Sequence, residues 1–289
     1  MDALLPFLLN EKPIRGRLVR LQEAVDTVLR QHVYPERISH LLGETLVMAA
    51  ILSSNLKGGG IFTIQLQSKG GLSLLVADAD ASGALRGYAQ FDAAADLTQP
   101  LSDLCRDGYL AITLDTGDAA SRYQGVVPLE GESVAASIQH YFTQSQQLQV
   151  KCKIAVGQYA SAGQMRWVAG GLYIEHMPES AEASGESESW REASILLETV
   201  KEEELLDTQL AGEQLLYRLF HEDGVWVYDA HNFRAQCRCS RAKIHKVLAG
   251  MESEALAKLA DAKGEIAVDC QFCGGREIFA AVEFEVAGK

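Results

Sequence analysis

The sequence predicts an α+β protein in three segments. These are an N-terminal domain with a largely antiparallel sheet and packed helices (1–178), an acidic helical linker (179–231) and a small C-terminal domain (232–289). Three observations lead there. Short alternating apolar runs punctuated by glycine cluster between helical stretches, which is the pattern of an α+β domain. The acidity is concentrated: of a net charge of −13, segment 179–231 carries 3 basic against 14 acidic residues, while 1–178 has 14 against 17 and 232–289 has 9 against 8. Finally, four cysteines stand in two close pairs, Cys237-Arg-Cys239 and Cys270-Gln-Phe-Cys273, near the C-terminus.

Each element has its own signal. Ile14, Leu18 and Arg20 within Pro13–Leu29 alternate as in a strand, and the run Ala24–Leu29 then turns helical. Between Ser39 and Leu56, apolar residues at 41, 42, 46, 48, 49 and 52 have the spacing of a buried helix face, which ends at Lys57-Gly58-Gly59-Gly60. Strands are expected at Ile61–Leu66, Leu72–Ala77, Leu85–Phe91, Tyr109–Leu114 and Tyr123–Leu129. A helix over Ser133–Thr143 and strands near Val150–Val156 and Gly171–His176 follow.

From Pro178 to Ser189 the chain holds no large apolar residue, so it cannot bury surface to offset its ordering entropy and reads as flexible. Helices are expected at Trp190–Leu210 and Gly212–His221, with wide leucine stripes against acidic faces. Two more, Ser240–Leu248 and Ser253–Lys263, precede a hairpin within Glu265–Phe284.

Composition excludes several classes. Hydrophobic residues make up 47% of the chain, enough for a sizeable core, and no apolar run reaches the length of a membrane span. The opening Met1–Leu9 carries an acid and a proline and makes a poor signal peptide. Six cysteines are few for a disulfide scaffold, which leaves a reducing, cytoplasmic setting. The negative charge, and a C-terminal segment close to neutral, argue against a nucleic-acid partner. Gly58-Gly59-Gly60 lacks the lysine and hydroxyl of a phosphate loop, and no nucleophile elbow or metalloprotease helix occurs, so no enzyme is expected.

The paired cysteines carry the chemistry. Two tight turns presenting two sulfurs each make a four-thiolate cage, and zinc prefers tetrahedral sulfur. Cys237, Cys239, Cys270 and Cys273 are therefore the expected ligands of one zinc ion. His231 and His245 lie near in sequence but would be supernumerary, and Cys105 and Cys152 stand alone as core or surface thiols. A segment of this size buries too little area without a staple. The thiolates that hold a metal are also the oxidisable species. Spacing alone leaves a permanent staple and a reversible redox switch both open.

The chain as a whole resembles the bacterial heat shock protein 33 family. The phrases that carry this are, among others, Arg15-Gly16-Arg17-Leu18-Val19, His32-Val33-Tyr34-Pro35, Leu42-Gly43-Glu44, Leu85-Arg86-Gly87-Tyr88-Ala89, Tyr123-Gln124-Gly125-Val126-Val127 and Leu219-Phe220-His221-Glu222. They stand in order with Cys237-Arg-Cys239-Ser240-Arg241 and Gly264-Glu265-Ile266 before Cys270-Gln-Phe-Cys273. The resemblance implies a redox-regulated, ATP-independent holdase, inactive when reduced and zinc-bound. Oxidation would form Cys237–Cys239 and Cys270–Cys273 disulfides, release zinc, loosen the linker and allow unfolding client proteins to bind, with a homodimer as the active form. The alternative is a constitutive zinc-stabilised interaction protein without a switch. Some positions depart from the family pattern. Glu277 stands in place of a usual tyrosine, Gln149 in place of a proline, and Glu175-His176 in place of more apolar residues.

Overall fold

A computed structural model of the chain describes residues 2–10, 12–56, 59–117, 122–129, 131–177 and 187–285. Most of the stretch expected to be flexible, 178–186, lies outside the described residues. Two compact units divide the chain, 1–235 and 236–289.

The first unit opens with β1 (Ala3–Leu9) and β2 (Ile14–Leu21), then α1 (Glu23–Leu29) and α2 (Glu36–Ser53). A run of strands follows: β3 (Ile61–Gln67), β4 (Leu72–Asp80), β5 (Ala84–Phe91), the short α3 (Leu101–Leu104), β6 (Tyr109–Asp115) and β7 (Tyr123–Pro128). Next come α4 (Val134–Ser145), β8 (Val150–Ser161), β9 (Gln164–His176), α5 (Glu188–Thr199), α6 (Glu202–Leu206) and α7 (Gly212–Phe220). The unit closes with the short strands β10 (Val225–Val227), β11 (His231–Asn232) and β12 (Arg234–Ala235). One sheet runs β10-β1-β2-β9-β8 with β11 also paired to β1, and a second runs β12-β5-β4-β3-β6-β7. Every pairing is antiparallel except the edge contact of β12 with β5. The expected α+β architecture with a largely antiparallel sheet is what the chain adopts.

The helix α2 is apolar nearly all round and packs against strands of both sheets. Ile38, Leu42, Leu46 and Ile51 are fully buried in this core with Ile64, Leu66 and Leu75 from the second sheet. The first sheet alternates faces with period two. On β2, Val19 and Leu21 enter the core around α2, whereas Ile14 and Leu18 enter a second core on the opposite face. That second core contains Phe7, Leu9, Leu172 and Ile174, covered by Trp190, Leu197, Leu205, Leu215, Leu216 and Phe220 of α5–α7. The acidic segment is thus a helical layer on a sheet.

Glu175, a charge where apolar residues are typical, is 4% exposed yet well partnered. Tyr173 Oη donates to it at 2.8 Å, Arg17 lies 3.5 Å away, and Arg15 forms a further ion pair. His176 shares a hydrogen bond with Ser187 Oγ (3.0 Å), the N-cap of α5, and its ring meets Trp190 edge-on.

The structure departs from the sequence expectations in several elements. β1 was not expected as a strand. The strands expected at 150–156 and 171–176 extend to a long hairpin closed at Ala162-Gly163, both with positive φ. The helix expected over Trp190–Leu210 breaks at Val200-Lys201, where the backbone is extended, and ends at Leu206. Residues 225–227, 231–232 and 234–235 are strands of the two sheets, and contacts group 225–235 with the first unit.

Candidate metal centre

The second unit is small. It contains α8 (Arg241–Ala249), α9 (Ser253–Leu259), a two-stranded sheet of β13 (Glu265–Asp269) and β14 (Arg276–Ala280), and a final turn α10 (Val282–Glu285). The helix expected to Lys263 stops at Leu259, where Ala260 is extended. Its buried apolar core consists of Leu248, Leu256, Ile266, Phe279 and Phe284.

Cys270 and Cys273 occupy the turn of the β13–β14 hairpin. Cys270 N donates to Gly275 O, and Gly274, at φ +65°, donates back to Cys270 O, both at 2.8 Å. Cys237 and Cys239 lie in the irregular segment 236–240 leading into α8, whose N-cap Ser240 accepts from Lys243 N. These two local structures bring the four sulfurs together, all within 4.8 Å of one another. Cys237 Sγ is 3.6 Å from Cys270 Sγ, and Cys239 Sγ is 3.5 Å from Cys273 Sγ.

The cluster could hold a metal ion. A tetrahedral ion with metal–sulfur bonds of about 2.3 Å sets its sulfurs roughly 3.8 Å apart. The observed separations are close to that, and far beyond the roughly 2.05 Å of a disulfide. Burial works against the Cys237 thiolate, but the Cys239 amide and the neighbouring thiols outweigh it and bring it to about 7. With Cys237 accepting, Cys239 is raised by its bond to that sulfur, and Cys273 is raised by burial. A cation among sulfurs placed this closely would favour their thiolate forms. Cys239 is exposed and the other three are half-buried, so reagents in solvent can reach them.

The remaining candidates do not join the cluster. His245 packs its ring on Phe284 and Phe279 (4.9 and 6.2 Å), and His231 sits in β11 against Phe233. Burial pushes Cys105 up to about 12. Cys152 is likewise pushed to about 12 by burial and by the Glu44 carboxylate. Neither is a ready thiolate. Glu277 pairs with Arg241 at 3.2 Å. The Arg241 guanidinium also donates to Ile278 O and lies 4.1 Å above the Phe279 ring. Sequence reasoning placed the four sulfurs but not this arginine, whose nearness to Glu277 depends on the hairpin register.

Comparison with known proteins agrees with this geometry. A family model described as Hsp33 protein matches residues 2–280. The chain is 37% identical over 279 residues to a 33 kDa chaperonin of Caulobacter vibrioides, covering 94% of this chain and 92% of that one. It is 34% identical over 282 residues to a 33 kDa chaperonin of Proteus mirabilis, covering 96% and 93%. Its fold is similar to the crystal structure of the 33 kDa chaperonin, a heat shock protein 33 homologue, from Thermotoga maritima, with a TM-score of 0.82, 20% identity and 99% and 98% of the two chains covered. Matched nearly end to end by the family model and by these relatives, the chain belongs to the Hsp33 family.

Proposed function

We propose that this protein is a redox-regulated, ATP-independent holdase chaperone, with the three segments 1–178, 179–231 and 232–289 acting as body, gate and sensor. It is read as a non-enzymatic, cytoplasmic protein that shields unfolding client proteins and works as a homodimer once oxidised. Among the described residues no helix is long and apolar enough to cross a membrane. The observation that carries the reading is the four-sulfur cage in a unit whose own core is five side chains.

Zinc bound by Cys237, Cys239, Cys270 and Cys273 would supply a structural cross-link on the order of 10–16 kcal/mol. With peroxide as the oxidant, a thiolate of one pair attacks the O–O bond and becomes a sulfenic acid, releasing water after proton uptake. Its neighbour's thiol then displaces a second water to close the disulfide. Two electrons pass from two sulfurs to one peroxide. Each disulfide, Cys237–Cys239 or Cys270–Cys273, removes two thiolate donors, and the unit loses its staple.

The linker follows from chain order. The strands that follow α7 end at Ala235, and only Gln236 separates them from Cys237. Loss of order at Cys237 releases this end of the layer α5–α7. Those helices are 5 to 12 residues long, too short to persist without the sheet beneath them. Released, they offer leucine stripes to clients while their acids keep the segment dissolved.

The test follows metal release and suppression of thermal aggregation on the same samples during peroxide treatment. Expected are one zinc per reduced chain, its loss with disulfides inside each pair, and protection gained in step. Cys105→Ser/Cys152→Ser should switch as the parent does. Equal protection by reduced and oxidised samples would leave the constitutive alternative, and disulfides crossing between the pairs would overturn the mechanism.

A further inference from the structure

The sheet face beneath α5–α7 is more than apolar. Cations surround it, and each engages the acidic layer. Lys12, in the β1–β2 turn, meets Glu192 at 2.9 Å and Asp223 at 2.6 Å. Lys151, on the edge strand β8, forms an ion pair with Glu198. Lys153, next but one along the strand and so on the same face, donates to Glu198 O at 2.9 Å. Arg20, at the other end of the face, donates to Glu204 O at 2.7 Å and to Leu210 O. It thereby binds one carbonyl within α6 and one in the connection between α6 and α7.

Between these cations the sheet is hollowed. A Cβ at Gly170 would stand 2.5 Å from Leu205 O, and one at Gly157 would stand 2.9 Å from Leu206 Cδ1. Two missing side chains make a slot that seats a Leu-Leu step of a helix. The face therefore combines an apolar floor, a leucine slot and a rim of four cations, and the element seated on it has 14 acids to 3 basic residues across 179–231.

We infer that this face is a charge-selective receptor: once α5–α7 lift away, it accepts acidic amphipathic segments of unfolding clients, those that resemble the chain's own linker, over neutral or basic ones. The inference rests on the functional reading above. Electrostatic complementarity at a rim contributes selectivity and capture rate more than affinity, while the floor and slot hold the bound leucines. Lys12 and Lys151 are themselves only partly exposed, at 18% and 28%, so their pairing is screened less than that of a fully solvated charge.

The experiment uses the full-length oxidised protein and two peptides. One is residues 187–210 of this chain, which carries Trp190 as a fluorophore; the other is the same peptide with its seven acids replaced by their amides. Expected is binding of the acidic peptide about tenfold tighter than the amide peptide, a ratio that falls toward one in raised salt. The ratio should also collapse in Lys151→Glu/Lys153→Glu and, as a separate variant in a turn, in Lys12→Glu. The acidic peptide should compete with a thermally unfolding client for protection. Equal binding of the two peptides, a ratio unchanged in both variants, or tight peptide binding that leaves client protection intact would overturn the receptor. If oxidised protein protects no client at all, the chaperone reading falls instead, and the peptide ratio still reports on the face.

Discussion

The two units solve the problem of stability by different means. In 1–235, a central helix and two six-stranded sheets bury dozens of apolar side chains, with a second core on the outer face of one sheet. In 236–289, five buried apolar residues and one hairpin accompany four sulfurs. Burial at about 25 cal/mol per Å² sustains the first and cannot by itself sustain the second. On the function proposed above, this contrast is what would let a chemical event at four atoms unfold one part of the chain and leave another intact.

The largest effect that would test this contrast is metal removal. Chelation, or Cys270→Ser, should abolish amide protection across 236–285, a loss on the order of 10 kcal/mol. Trp167, buried in the core around α2, should keep its packed emission, whereas Trp190 in α5 should become solvated as the layer is released. Persistent protection in metal-free 236–285 would mean that five side chains suffice.

Within the large unit, Leu42 is fully buried against α2's neighbours. Leu42→Ala should cost about 2–5 kcal/mol, read as a lower urea midpoint, without altering metal content. A matching loss of zinc would show that the units are not independent in stability.

Leu205→Gln sharpens the comparison at the helical layer on the first sheet. This side chain is fully buried, and the change costs about 2–5 kcal/mol of docking. The reduced, zinc-loaded variant should suppress aggregation and exchange rapidly across 190–223. Rapid exchange with no activity before oxidation would remove the linker as the gate.

A smaller effect distinguishes a buried carboxyl from the solvated acids of the linker. Burial raises the Glu44 carboxyl, although the Ala135 amide, the Ser133 hydroxyl and the Val134 amide partly oppose the shift. A raised folded value means that protonation favours the native state. Stability linked to Glu44 is therefore full below the ordinary carboxylate range and is lost as pH rises through its raised value. Glu44→Gln should raise the melting temperature at neutral pH and leave it unchanged in acid. An equal shift at both would assign the effect to packing.

The smallest effect concerns Glu277 and Arg241, an exposed pair worth about 0.2–1 kcal/mol. Glu277→Tyr, which restores the residue usual in the family, should shift the peroxide concentration for half-activation only slightly. A large shift would make this pair a determinant of the sensor.

The sequence by itself determined the two close cysteine pairs, the α+β class, most strands of the second sheet and the amphipathic helices of the acidic segment. These signals are local: cysteine spacing, period-two alternation beside glycine turns, and leucine stripes. β1 escaped because it is buried on both faces, with Leu4 in one core and Phe7 and Leu9 in the other, so no alternation is visible. The 150–176 hairpin ran long because Ala162-Gly163 is not a typical two-residue turn signal. Only the tertiary structure decided that the acidic helices would lie on a sheet ringed by Lys12, Arg20, Lys151 and Lys153, and that Arg15 and Arg17 would neutralise Glu175. Those partners are separated by 45 (Lys153 and Glu198) to 211 residues (Lys12 and Asp223). Their pairing depends on strand register and on which face of a sheet remains to be covered, which no local pattern encodes.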